Sequence, residues 1–259
     1  MNAFLNLMRK EYRMTRNAAL LTVAILIIGG LWLVYLSYRY NIGIVLAPAG
    51  MLLAILPFYP AMYILKSLAW EWKVTPHLWL HCPQPAWMLL LAKLGVALLQ
   101  MLVIIAIAAG LLLPGIYINP HPDQLGGYNL SSLLPLVVEA GLYAASFTVA
   151  AGIYIGAWAA LISVANALAG NILGRFRWLA GIAVFATATI GFGQLQQTMI
   201  FKQITHWGLI NIGLHNLPQA PRPDIITGQL YTGEILFYAL LTAGLIALSA
   251  WLIDHKIEV

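Results

Sequence analysis

The sequence predicts an all-α integral membrane protein: one transmembrane domain over residues 1–259, built on six membrane-crossing helices. Three observations predict it. Apolar residues make up 62% of the chain and charged residues only 8%, against roughly a quarter charged in a soluble domain. The apolar residues run continuously instead of alternating, and the basic residues gather where those runs end. Continuous runs select helices, because a helix closes its backbone hydrogen bonds within one segment, whereas a barrel strand alternates and leaves its pairing to neighbours.

Residues 1–16 come first. At about 100° per residue, Phe4, Leu5, Met8 and Tyr12 share a face with Met1, while Arg9, Arg13 and Arg16 lie opposite with Asn2 and Asn6. Such a helix is expected to lie along the inner leaflet, with its apolar side among acyl chains and its basic side at anionic headgroups. The alternative is a plain positive-inside anchor.

Crossing about 30 Å of hydrocarbon takes about 20 residues at 1.5 Å each. Six runs qualify, at 18–38, 44–65, 88–113, 133–160, 179–200 and 234–253. The first is expected to stay attached, since aromatic residues and Arg39 follow it where a signal peptide would carry small residues. The fourth continues apolar to Ala169, long enough to tilt or to project inward. With the N-terminus inside, ten of the thirteen basic residues fall on the inner side and only Arg39, Lys202 and Arg222 on the outer. That asymmetry places both termini in the cytoplasm.

The inner link 66–87 mixes charge, proline and tryptophan. Its tryptophans suit the membrane interface, and its polar residues suit docking of a partner. His77 and His81 lie four apart beside Cys82, but only Glu71 stands near as an acid, so no metal is expected. The outer link 114–132 reads as turns. The outer segment 201–233 holds an apolar piece, 204–217, that is too short to span and is read as a re-entrant or interfacial helix before the proline run 218–223.

Chemistry is sparse. There is no Walker A loop, zinc-binding His-Glu-x-x-His or Gly-x-Ser-x-Gly elbow, so catalysis by this chain is not expected. Cys82 is the single cysteine, which excludes an internal disulfide. The basic residues flank spans and form no tail with stacking aromatics, so no nucleic-acid partner is expected. Glu139 is the acid within a span, and it reads either as a pathway residue or as a near-interface carboxylate that snorkels. Gln194 and Gln197, with Gln196 between them, offer amides near the outer end of span five, as pathway groups or as hydrogen-bonding glue between helices. Gly152 and Gly156 form a small-x-x-x-small pair that permits close helix approach.

Taken in order, these parts resemble the membrane subunit of a type-two ATP-binding-cassette (ABC) exporter, the six-helix permease family. The stretch Phe4-Leu-Asn-Leu-Met-Arg-Lys-Glu-Tyr-Arg13 is similar to that family's elbow helix. The stretch Glu71-Trp-Lys-Val-Thr-Pro-His-Leu-Trp-Leu80, then Pro83 and Leu91-Ala-Lys93, is similar to its coupling helix and the entry to the next span. The long outer segment before the last span is the third likeness, since that family folds it as short helices. Gln84, Pro85 and Ala86 depart from the basic residues that often follow the family's proline. The resemblance implies ATPase coupling through Glu71, Trp72, Lys73, Thr75, His77, Leu78, Trp79 and Leu80. It implies separate cassette ATPase subunits carrying ATP and magnesium, no cofactor on this chain, a second permease copy or related permease, and a bacterial plasma membrane. An apolar, aromatic pathway suits efflux of a drug, lipid or antimicrobial peptide, hence a role in antimicrobial resistance. A membrane sensor or assembly protein, and an intramembrane enzyme, remain as the other readings.

Overall fold

A computed structural model describes residues 3–40, 43–74, 84–117, 130–176, 178–212 and 228–256. In chain order the elements are α1 (Ala3–Arg39), α2 (Gly43–Ile55), α3 (Phe58–Val74), α4 (Ala86–Tyr117), α5 (Leu130–Leu173), α6 (Trp178–Gln197), α7 (Met199–Thr205), β1 (Leu209–Ile212), β2 (Gly228–Tyr231) and α8 (Thr232–Lys256). The protein is a membrane-embedded helical bundle. Among the described residues, five helices are long and apolar enough to cross a membrane, and the pair α2 and α3, bent by 47°, makes a sixth crossing if it is one span.

The opening segment is not a separate interfacial helix. It runs without a break into the first long apolar stretch as α1, of 37 residues. The reason is local: from residue 3 to residue 28 there is no glycine or proline, so nothing ends the helix. Its first turns pack on α4 and α3, burying Leu7 and Glu11, and its sulfur-bearing Met8 reaches Gly95.

The second stretch is broken where the sequence reads as one span. Pro57 offers no N–H and its ring crowds the preceding turn, so α2 stops at Ile55 and α3 begins at Phe58. The Leu56 N–H still reaches the Leu52 carbonyl, and the Tyr59 N–H the Leu56 carbonyl, which keeps the bend's backbone paired.

The long helices α4 and α5 form the centre, with α1 packed on α4, α3 and α8 on α5, and α6 on the far side of α5. The glycine pair read from sequence explains the closest approach. A Cβ at Gly156 would meet Leu94 Cδ1 at 2.8 Å, and one at Gly152 would meet Met101 Cε at 3.3 Å and Pro60 Cγ at 3.4 Å. Where α5 turns into α6, Gly174 has φ +50°, and the Gly181 N–H donates to Asn166 Oδ1 at 2.9 Å, supplying a partner to the first turn of α6.

Between α6 and α8 a short helix is present, but it stands earlier than the apolar piece suggested, and residues 209–212 form a strand, while 213–227, with the rest of that piece and the proline run, lie outside the described residues. The seven-residue α7, N-capped by Thr198, ends at Thr205. Gly208, at φ +70°, then reverses the chain into β1, which pairs antiparallel with β2 from Leu209 opposite Tyr231 to Ile212 opposite Gly228. A helix cannot pass a residue at positive φ, and the β-branched Ile210 and Ile212 suit an extended ribbon. The Thr232 hydroxyl and N–H both donate to the Gly208 carbonyl, at 2.8 and 2.9 Å, and lock the ribbon to the start of α8.

Candidate functional site

Three charges meet in the interior where α1, α3 and α4 come together, at the end of the bundle that carries the chain termini. Lys93 stands about two turns into α4, with its side chain 1% exposed. Its Nζ donates to Glu11 Oε1 at 2.9 Å, Glu71 Oε1 at 2.8 Å and Ser67 Oγ at 2.8 Å. An ammonium has three donors, and here each has an acceptor. Glu11 and Glu71 are themselves buried, at 5% and 8% side-chain exposure. Such a cluster is tolerated in an apolar interior only because charge and hydrogen bonds are satisfied together.

Local sequence puts each group there. Glu71 and Ser67 lie four apart and so share one face of α3, three and seven residues before its end at Val74. Glu11 lies four residues after Leu7 and four before Thr15, on the side of α1 that turns inward.

A line of hydrogen bonds leads from this cluster toward the bend. The Tyr63 hydroxyl donates to Glu11 Oε2 at 3.4 Å, and the Thr15 hydroxyl donates to the Glu11 carbonyl at 3.1 Å. Gln100 Nε2 donates to Thr15 Oγ1 at 3.0 Å, and the Tyr59 hydroxyl donates to Gln100 Oε1 at 2.7 Å. Tyr59 is two residues past Pro57. The seam thus follows α3 for twelve residues, from Glu71 to Tyr59, or about 18 Å.

Of the residues singled out in sequence, Glu71 belongs to this cluster. Trp72 is half-buried against the apolar core around Leu68, and Lys73 is exposed. Thr75, His77, Leu78, Trp79 and Leu80 lie outside the described residues, as do His81 and Cys82. On α1, Phe4 and Met8 are half-buried while Leu5, Arg9, Tyr12 and Arg13 are exposed, so the inward face is centred on Leu7 and Glu11 instead of on Leu5 and Tyr12. Glu139 is half-buried on α5 toward the opposite end, far along the helix from the cluster. Gln194 and Gln197 are exposed on α6, and Gln196 Nε2 donates to the Tyr238 hydroxyl at 3.1 Å. The structure therefore does not bring Glu139 together with these amides at the buried cluster. Glu11 escaped sequence reading, although an acid amid Phe4, Leu7 and Met8 on an otherwise basic amphipathic helix was a signal.

A second contact holds the entry to α4. The Ala86 N–H donates to Asp254 Oδ1 of α8 at 3.3 Å, so the last helix caps the helix that follows residues 75–83. Around Tyr238, an aromatic group joins α5 to α8: Tyr154 and Phe192 lie at ring separations of 5.6 and 6.0 Å from it, and Trp158 extends the group to Phe185. Among the described residues no group of three or more His, Cys, Asp or Glu could hold a metal.

No family model, curated protein or solved structure matches the chain. In the buried cluster each of the three Lys93 donors has an acceptor and the side chain is almost fully enclosed, so the cluster ties three helices together.

Proposed function

We propose that the chain is the permease subunit of an ATP-driven transporter of the type-two ABC exporter kind, moving a hydrophobic or amphipathic compound while a separate cassette ATPase hydrolyses ATP. One observation carries the reading: Glu71, the residue that opens the stretch similar to a coupling helix, is tied through Lys93 to Glu11 on the opening helix. A cytoplasmic segment that receives force from a partner must be joined to the helices it moves, and this cluster supplies the joint. The basic residues at the ends of α1, α3 and α5, against three on the other side, support a cytoplasmic placement of that end. The exposed apolar faces of α1 and α6 support lipid on those sides, and a second permease copy would complete the pathway.

An intramembrane enzyme would need a nucleophile or a general base with room for substrate. The cluster offers carboxylates already bound to an ammonium, and that weighs against this reading.

The test is purification of the tagged chain from its own host in mild detergent, with mass spectrometry of what accompanies it and an ATPase assay. A stoichiometric cassette ATPase that is lost when residues 75–80 are replaced by a Gly-Ser linker is the expected result. A chain that purifies without any ATPase, in lipid as in detergent, overturns the reading in favour of a sensor or assembly protein.

A further inference from the structure

The connection between α6 and α8 folds back onto the start of α8, at the end of the bundle away from the chain termini. Gly233 lets the two backbones meet there: a Cβ at that position would overlap the Thr205 carbonyl and crowd Trp207 Nε1 at 2.7 Å. The Gly233 N–H donates to the Trp207 carbonyl at 3.2 Å, beside the two bonds from Thr232 to Gly208. His206 stands at this joint as the residue that ends α7. Its ring lies nearly parallel to that of Tyr231, at 4.4 Å and 9°, and its Nε2 is 3.5 Å from Glu234 Oε1.

We propose that His206, Tyr231 and Glu234 form a pH-sensitive latch, which fastens the β1–β2 ribbon to the start of α8 when the imidazole is protonated and loosens it when the imidazole is neutral. Three elements supply one group each: α7 ends at the imidazole, β2 brings the phenol ring and α8 the carboxylate, so the contact forms only while the ribbon is seated. Histidine is the side chain whose charge changes between about pH 5 and 8. Neutral, the ring stacks on Tyr231 as one aromatic on another. Protonated, it adds the attraction of a cation to the face of the phenol ring and to the Glu234 carboxylate. That carboxylate stands in the first turn of α8, where a negative charge meets the positive end of the helix dipole. The side chains are 42% and 31% exposed, so protons reach the contact without unfolding, and the same exposure keeps its effect modest.

Among the described residues, the other titratable groups on the elements packed here are Lys202 on α7 and Tyr238 on α8; β1 and the last two turns of α6 carry none. Lys202 is exposed one turn before His206, and its like charge opposes protonation, while the Tyr238 hydroxyl is engaged as the acceptor of the Gln196 amide. Glu234 answers that opposition in the seated ribbon and cannot do so once the ribbon lifts. By linkage, the seated form is favoured as pH falls and loses this advantage as pH rises through the imidazole range. The latch does not depend on the permease reading, which adds only that this end faces the outer compartment.

The experiment is amide hydrogen exchange read by mass spectrometry on the full chain in nanodiscs, with each rate divided by the intrinsic rate at that pH. In the unsubstituted chain, protection of the ribbon amides at 209–212 and 228–231 is expected to fall about two- to fivefold between about pH 5 and about pH 8, the size an exposed ion pair supplies. His206→Gln keeps a planar polar side chain without the charge, and it is expected to hold the high-pH level throughout. Glu234→Gln is expected to flatten the profile as well. Protection that does not change with pH in the unsubstituted chain, or a profile that survives in full in either variant, overturns the proposal. A variant whose exchange also rises along α6 and α8 has lost its fold, and the unsubstituted profile with the other variant then decides.

Discussion

At the scale of one residue, Lys93 is held by arithmetic: three donors, three acceptors, and 1% exposure. Removing the ammonium leaves two buried carboxylates facing each other without a counter-charge, and breaking a buried pair by loss of one partner costs about 3–5 kcal/mol. Lys93→Met is therefore expected to lower stability by about that amount, read as the shift in unfolding midpoint when the protein is titrated with SDS in mixed micelles. The triple variant with Glu11→Gln and Glu71→Gln is expected to recover most of the loss, because neutral amides need no counter-charge. If the single and triple variants are equally unstable, the defect is one of packing volume and the electrostatic account is wrong. Sequence reading gave a role to one of the three members, Glu71; Lys93 and Glu11 stand in the stretches similar to known motifs without one. The pairing of the two has a physical reason for staying hidden: helical periodicity tells which residues share a face, and it does not tell what the face meets. Glu11 stands among basic residues in the chain, and in the fold it is buried against Lys93 of α4.

At the scale of elements, the helices were legible because lipid leaves few alternatives for a run of twenty apolar residues, and five long helices fall where the runs do. Three boundaries were not legible. The opening helix and the first span merge, since no breaker separates them. Pro57 divides the second, although prolines inside α4 and α5 at Pro114 and Pro135 do not divide those helices. The ribbon β1–β2 depends on Gly208 at positive φ and on pairing with residues about twenty positions away, which a local pattern cannot report. The glycine pair in α5 was legible as a motif, and the structure gives it a specific neighbour. A Cβ at Gly156 would press on Leu94 while Ile64 and Pro60 close the space from α3; at Gly141 on the same helix nothing lies within 4 Å. Gly156→Val is therefore expected to cost about 1–3 kcal/mol by overpacking, and Gly141→Val to stay within about 0.5 kcal/mol. The same SDS titration separates them, and equal effects at the two sites would mean that α3 and α4 do not approach α5 as described.

At the scale of the whole molecule, the chain has two halves that differ in what binds them. Helices α1, α3 and α4 share the buried charges and the polar seam, whereas α5, α6 and α8 meet through small residues and aromatic rings. Between the halves the contact is mostly apolar: Leu68, Leu90 and Leu94 pack with Ala160, Val164 and Ala250, and the Asp254 cap on Ala86 adds a polar bond. An interface that is extensive and shape-matched does not require a covalent link, so cutting the chain between the halves is expected to leave it able to assemble. Coexpressed fragments 1–125 and 126–259 are expected to copurify through a tag on either one. The second fragment can take its orientation alone, since it has no basic residue before α5 and has Arg175 and Arg177 after it. Gly156→Val in the second fragment is expected to reduce recovery of its partner several-fold, because its neighbours Leu94, Ile64 and Pro60 all belong to the first fragment. Lys93→Met is expected to spare that recovery, since every charge it strands lies within the first fragment. Loss of assembly with Lys93→Met, or its persistence with Gly156→Val, would show that the halves are joined by something other than the apolar face around the α5 glycines.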